Sequence, residues 1–245
     1  MPSCLGVTVH PDFEYIKIKD ELTGKQYVLL EKCLNILYKD PKKAKFTILD
    51  RYKGKDMKGW EFVPMFDYFV NEFKGKGYKV MVDTYVTDDS GTGIVQNAPA
   101  FGEDDYRVCL EHGVIDADGF LPCPIDEKGC FTETVADFAG QYVKVKNIIN
   151  NAIFFLWMNK RLLWFNYILL TLSFYYIKIK QEADKEIQKN MKARGRLIVQ
   201  SQFMHSYPFC WRSDTPLIYR AIPSWFVRVK PIIDQVLACN DKMRW

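Results

Sequence analysis

The residues best suited to chemistry stand together in one run, Thr87-Asp88-Asp89-Ser90-Gly91-Thr92-Gly93-Ile94-Val95-Gln96-Asn97-Ala98-Pro99-Ala100-Phe101-Gly102-Glu103-Asp104-Asp105. Gly91 and Gly93 permit positive φ or a close backbone approach on either side of Thr92. Pro99 and Gly102 then turn the chain toward a helix that opens on three acids. Those acids have two readings. They match the positive end of a helix dipole and cap its first turn, or one carboxylate faces a pocket floored by the Gly-Thr-Gly turn and binds a cationic group. The turn by itself is not a dinucleotide fingerprint, because the third glycine of that motif is missing.

Other chemistry finds less support. His10, His112 and His205 lie far apart, with none of the i,i+4 pairing that sets two ligands on one helix face. Cys123 and Cys130 are separated by Pro124 and Gly129, a loop composition and not a zinc knuckle. The seven cysteines form no C-x-x-C pair, so reduced thiols are expected over a disulfide framework. No G-x-S-x-G elbow, Walker loop or kinase motif set occurs. Lysines and arginines cluster at 39–45, 53–58, 74–79 and 185–196, which suits either solvated faces or contacts to an RNA backbone. The formal charge of +4 is too small to decide between them.

The elements that must position these residues are mixed. A chain of 245 residues, 48% hydrophobic and 26% charged, excludes a disordered segment or a collagen-like repeat and has ample material for a core. Phe13–Lys19 alternates side-chain character with period two and Gln26–Leu30 offers a returning strand, with Thr23-Gly24 as the turn of a hairpin. Phe46–Tyr52, Tyr78–Val86 and Gly93–Val95 are further strand candidates. Many short strands divided by Gly and Lys suggest a barrel-like sheet. Glu103–His112 reads as a short helix stopped by Gly113, and 182–192 as a second helix that Gly195 can end. The prolines at 208, 216 and 223 argue against regular helix near the C-terminal end.

Residues 145–181 differ in kind. Their longest uncharged run, Leu162–Ile177, is about 16 residues, short of the roughly 18–20 needed to span a bilayer. Extending it backwards takes in Lys160 and Arg161. A membrane-tethered accessory protein using 153–177 is therefore disfavoured.

The run from Gly91-Thr92-Gly93-Ile94-Val95 through Ala98-Pro99-Ala100-Phe101-Gly102-Glu103-Asp104-Asp105-Tyr106 resembles the signature of the editing domain in the isoleucyl-tRNA synthetase family, eukaryotic cytosolic type. Pro2–Val7 is similar to the stretch that follows the family's threonine-rich motif. Gly54–Phe66 is similar to its G-x-x-L-x-G-x-x-Y-x-P-L-F element. His205–Tyr219 and Pro223–Val227 resemble the strand that returns to the catalytic core. These segments stand in the family's order and cover nearly the whole chain outside 145–181.

The resemblance implies an α+β fold, a β-barrel-like editing domain of class I aminoacyl-tRNA synthetases with peripheral helices plus an apolar helical insertion. Residues 1–144 would form its first part, 182–204 its helix and closing part, and 205–245 the return segment. Excising 145–181 joins Lys144 smoothly to Glu182, so that segment is expected to be a translated intron or a lineage-specific insertion. The implied activity is hydrolysis of mischarged Val-tRNA(Ile). One methylene in a binding pocket is worth only about 1–3 kcal/mol, a limit for which isoleucyl-tRNA synthetase is the standard illustration. A second, smaller site must therefore remove valine. By resemblance Asp105 is the catalytic anion that takes the substrate's ammonium. Gly91, Thr92 and Gly93 would floor the site, and Thr87, Gln96 and Asp104 would complete the substrate-binding set. The implied partners are the 3′ end of tRNA(Ile) carrying valine and the parent enzyme's catalytic core, in the cytoplasm; DNA is not among them. No cofactor or metal is expected in this chain, ATP and Mg being used by the parent's core.

Two departures favour an alternative, a catalytically dead tRNA-binding remnant. The family commonly has His where this chain has Gln96, which cannot carry a charge near neutral pH. The threonine-rich strand that builds the other wall would precede residue 1, so the chain is expected to be a fragment. The ATP-binding motifs H-x-G-H and K-M-S-K-S are also absent, so aminoacylation by these 245 residues alone is not expected.

Overall fold

The computed structural model describes residues 2–38, 40–41, 43–89, 91–143, 183–200, 206–213 and 215–243. Six strands form two three-stranded sheets. In the first, β1 (Gly6–Val9) is central, parallel to β5 (Lys79–Val82) and antiparallel to β6 (Ile94–Asn97). In the second, β2 (Glu14–Asp20) is central between β3 (Gln26–Leu30) and β4 (Phe46–Lys53), all antiparallel.

The second sheet follows from local signals. Gly24 at φ +70 closes the β2–β3 turn, where its N–H donates to the Asp20 carbonyl at 2.8 Å. As the middle strand, β2 buries side chains on both faces. Tyr15 packs with Val9, Leu30 and Val80, whereas Ile16 and Ile18 pack with Leu29 and Leu34. In the first sheet β5 is shorter than the expected Tyr78–Val86. Tyr78 takes a positive φ of 60, which ends any extended run before Lys79. Past the strand's other end the Asp83 carboxylate accepts the Tyr85 N–H at 2.9 Å and turns the chain out of the sheet.

The sheets do not close into a barrel, which corrects the barrel-like expectation. The ladder of each ends at its own edge strands, and the two are joined at the Gly-Thr-Gly turn instead. There the Leu30 N–H donates to the Thr92 carbonyl at 3.1 Å, and the Tyr15 hydroxyl donates to the Gly93 carbonyl at 2.7 Å. Tyr15 is fully buried and its oxygen also accepts the His10 N–H at 3.0 Å. Tyr15→Phe therefore leaves two polar backbone groups without their partner and is expected to cost about 1–3 kcal/mol in chemical denaturation, since an unsatisfied buried group loses its desolvation energy.

Among the described residues there are four α-helices: α1 (Leu34–Leu37), α2 (Glu103–Glu111), α3 (Ala183–Ala193) and α4 (Ile233–Asn240). The anticipated helices correspond to α2 and α3, and the glycines expected to stop them, Gly113 and Gly195, take φ of +67 and +65. Val108 and Cys109 of α2 pack on Leu5, Phe73 and Met81, which seats the helix against the first sheet. Met191 and Ala183 of α3 join a separate cluster with Phe66, Val135 and Phe138. Residues 206–213 and 215–243 lie mostly exposed, with Trp225 and Phe226 facing solvent. They touch the body where Ala221 N–H donates to the Ala100 carbonyl at 2.8 Å and Arg220 Nη1 to the Ile125 carbonyl at 2.9 Å. The expected apolar insertion at 145–181 lies outside the described residues. No helix among those described is long and apolar enough to cross a membrane.

Candidate functional site

Strand β6 runs out at Asn97, the chain turns through Ala98–Phe101, and Gly102 serves as the N-cap residue of α2. No side chain caps that helix from Gly102. Instead Asp105, in the first turn, bends back on the incoming chain. Its Oδ2 accepts the Ala98 N–H at 3.0 Å and its Oδ1 accepts Asn97 Nδ2 at 3.4 Å. Gly102 makes this approach possible. Its backbone is extended (φ −149, ψ 140), and a Cβ there would lie 2.9 Å from both Cγ and Oδ2 of Asp105. Partial burial pushes the Asp105 carboxyl above the ordinary carboxylate value, the Ala98 N–H opposes that rise, Asp104 adds to it and Asn97 opposes it. Among the described residues no lysine or arginine pairs with Asp105. The positive charge nearest in sequence, Arg107, is taken by Asp83 at 2.9 Å, Asp104 at 3.2 Å and Glu111 at 3.3 Å. A partly buried anion with no cationic partner among the described residues is a candidate acceptor for an external one.

Arg107 also fixes the helix. Its guanidinium forks onto Asp83 just past β5, with Nη2 on Asp83 Oδ1 at 3.2 Å, and this contact holds the Asp83 carboxyl below its usual range. A carboxyl depressed in the fold stabilises it above the unfolded-state value, and that contribution disappears as pH falls through the depressed value. Arg107→Gln is thus expected to lower the melting temperature at neutral pH, with the gap to the parent protein closing at acid pH where Asp83 is protonated. Melting curves across pH check this.

The other expected site residues divide into two groups. Gln96 is half-buried and adjoins Asn97 on β6. The loop residues are elsewhere. Gly91 and Gly93 have φ of +67 and +73, as their placement in a tight turn requires, but this turn is bound to the second sheet. Thr92 is exposed, with its hydroxyl 3.5 Å from the Ile94 carbonyl. Thr87 is exposed and donates to Asp89 at 2.5 Å. Neighbouring Asp88 pairs with Lys32, which ties this loop to the turn after β3. Asp104 is exposed and held by Arg107. None of Thr87, Gly91 or Thr92 hydrogen-bonds Asp105. A described depression of about 380 Å³, lined by Ile232, Val236 and Met243 among others, belongs to the C-terminal helix region and shares no residue with this cluster.

Three residues of the cluster escaped the sequence reading. Asn97 and Thr8 are completely buried, and the Thr8 hydroxyl donates to Asn97 Oδ1 at 2.6 Å. Asn97 Nδ2 also donates to the Tyr85 hydroxyl at 3.0 Å. Asn97 lies past the expected strand Gly93–Val95 and Thr8 in none, so their burial became visible only once β6 paired with β1, Asn97 opposite Gly6.

No protein-family model matches the chain. Curated relatives match it along its entire length. The cytoplasmic isoleucine–tRNA ligase of Schizosaccharomyces pombe is 47% identical over 245 residues, all of this chain and 20% of that protein. The chain is homologous to a segment of the isoleucine–tRNA ligases. The cytoplasmic isoleucine–tRNA ligase of Mus musculus is 42% identical, again over all of this chain, and 16% of its length is covered. The chain therefore spans a fifth or less of these two relatives. A solved structure described as GlLeuRS-CP1 aligns at a TM-score of 0.37 and 16% identity, over 51% of this chain and 50% of that one.

Proposed function

We propose that this segment is the editing region of a cytoplasmic isoleucine–tRNA ligase and hydrolyses the ester of valine mischarged on tRNA(Ile). The observation that carries this reading is the Asp105 carboxylate, partly buried, aimed by a backbone N–H and a buried amide, and without a cationic partner among the described residues. An α-ammonium would supply the missing charge, with a charge-assisted hydrogen bond of about 1.5–3 kcal/mol. The Gly91-Thr92-Gly93 turn and Gln96 would border the terminal adenosine and the ester, with Thr87 and Asp104 at the rim, and exposed lysines would hold the tRNA end. Asp105 anchors and orients the aminoacyl group, and the attacking nucleophile is water.

Hydrolysis of pre-charged Val-tRNA(Ile) against Ile-tRNA(Ile) tests the reading. The expected result is selective release of valine. Binding of tRNA(Ile) with no release of valine would instead identify a tRNA-binding remnant, the reading that Gln96 in place of histidine favours. Gly102→Ala probes the geometry separately. The extended backbone at Gly102 suits alanine, so the melting temperature should change little, while displacement of Asp105 should lower deacylation by about 10- to 100-fold, as sub-ångström to ångström misplacement of a binding group does.

A further inference from the structure

We propose that Asn97 is a positioning residue for Asp105: its carboxamide, enclosed by Thr8, Tyr85 and the Asp105 carboxylate, sets the orientation in which that carboxylate meets its ligand. Burial of the amide is complete and every arm of it is used. Oδ1 accepts from Thr8 at 2.6 Å, and the two N–H bonds go to Tyr85 at 3.0 Å and Asp105 at 3.4 Å. Thr8 and Tyr85 thus hold the amide from its two ends, and Asp105 takes its remaining N–H.

The chemistry of these three partners dictates which way the amide faces. A hydroxyl can donate or accept, so Thr8 and Tyr85 tolerate either orientation. An ionised carboxylate only accepts, so Asp105 admits only the one that presents N–H to Oδ1. Thr8, fully buried in β1, returns the constraint by holding Oδ1 on the other side of the amide. Together with the Ala98 N–H on Oδ2, each carboxylate oxygen receives one protein donor, and the carboxylate stays partly exposed. A purely structural asparagine would need only its satisfied hydrogen bonds; this one spends an N–H on a partly exposed carboxylate at the end of its network.

The role in aiming a ligand rests on the reading of Asp105 as the ammonium anchor, whereas the coupling to Asp105 does not, and the experiment separates them. The Asp105 carboxyl carbon is titrated by NMR in the parent protein, in Asn97→Ala and in Thr8→Val, with folding checked from the amide spectrum. Loss of the donated N–H should move the Asp105 titration to higher pH in Asn97→Ala, and in the same direction by less in Thr8→Val, where the amide loses its inner anchor. Asp104 on its own helix also acts on this carboxyl, and the carboxylate in turn acts on Cys109 of that helix, Cys4 before β1 and Tyr85 after β5. None of them is substituted, and Tyr85, which loses the Asn97 N–H in Asn97→Ala, keeps it in Thr8→Val. Deacylation of Val-tRNA(Ile) is followed in parallel, and its acid limb should move with the NMR titration while kcat/KM falls at least about tenfold in Asn97→Ala. If Asn97→Ala does not fold, Thr8→Val alone decides. An Asp105 titration unchanged in the folded variants overturns the inference. If the titration moves but the parent protein releases no valine, the coupling stands and the editing reading fails.

Discussion

Asp105→Ala is expected to abolish most valine release while leaving the fold in place. Truncating one partner of a desolvated charge pair costs about 2–5 kcal/mol, roughly 30- to 5,000-fold in kcat/KM if the loss falls on the transition state. The effect on folding runs differently. Burial raises the Asp105 carboxyl in the folded chain, so between its unfolded and folded values the fold holds more protons than the unfolded state. Stability therefore declines as pH rises through that window, and at neutral pH the ionised carboxylate is a cost that the fold carries. Removing it frees the Ala98 N–H but also removes that cost, so the melting temperature should move far less than the activity. Parallel kinetics and melting of Asp105→Ala check both halves. A variant that melts early and regains activity on cooling would point to a structural carboxylate.

Gly93→Ala should do the reverse and damage the fold itself. At φ +73 an L-residue pays about 1–2 kcal/mol in the left-handed region, and overpacking a buried site typically adds about 1–3 kcal/mol. The obstacle is concrete: an added Cβ would lie 1.8 Å from Cδ1 and 2.7 Å from Cγ of Leu30, a residue of the core shared by both sheets. Leu30 Cβ also lies 3.1 Å from the added atom, so rotating the side chain does not clear the contact, and the Leu30 N–H is the donor to Thr92 at the join between the sheets. A loss of about 2–5 kcal/mol is expected in urea or thermal unfolding. Gly91→Ala, equally left-handed but with open space around it, should lose only the conformational part. A Gly93→Ala protein as stable as its parent would show that the sheets are joined elsewhere.

The contrast between these glycines shows how far residue types alone could lead. That both would take positive φ was legible, because a G-x-G turn needs it. That one of them is a clasp between two sheets was not, because Leu30 is more than sixty residues away in the chain. The β2–β3 hairpin and helices α2 and α3 were readable for the same reason, each being specified by neighbours in sequence: a period-two strand with a Gly24 turn, and helical runs closed by Gly113 and Gly195. Strand β1 was missed because Gly6–Val9 has only four residues and owes its strand state to β5 and β6 on either side. The barrel-like expectation failed because short strands indicate sheets without indicating whether their edges meet.

The candidate site was legible in a different way. Spacing left the three acids of α2 equivalent, and the family resemblance singled out Asp105. Their environments now distinguish them: Asp104 is neutralised by Arg107, whereas Asp105 turns back to Ala98 and Asn97. Asn97, Thr8 and Gly102 could not be assigned before the fold, since their roles depend on contacts made by strand pairing and by a helix entering at one angle.

A non-hydrolysable valyl-adenosine amide, titrated into the protein while the Asp105 carboxyl carbon is followed by NMR, reaches the heart of the matter. An ammonium seated on Asp105 lowers the pKa of that carboxyl, because an opposite charge at contact favours the ionised form. The predicted result is a downward displacement of its titration with the analogue and none with the des-amino analogue. Binding of the amide, seen elsewhere in the spectrum, with the Asp105 titration unmoved would contradict it.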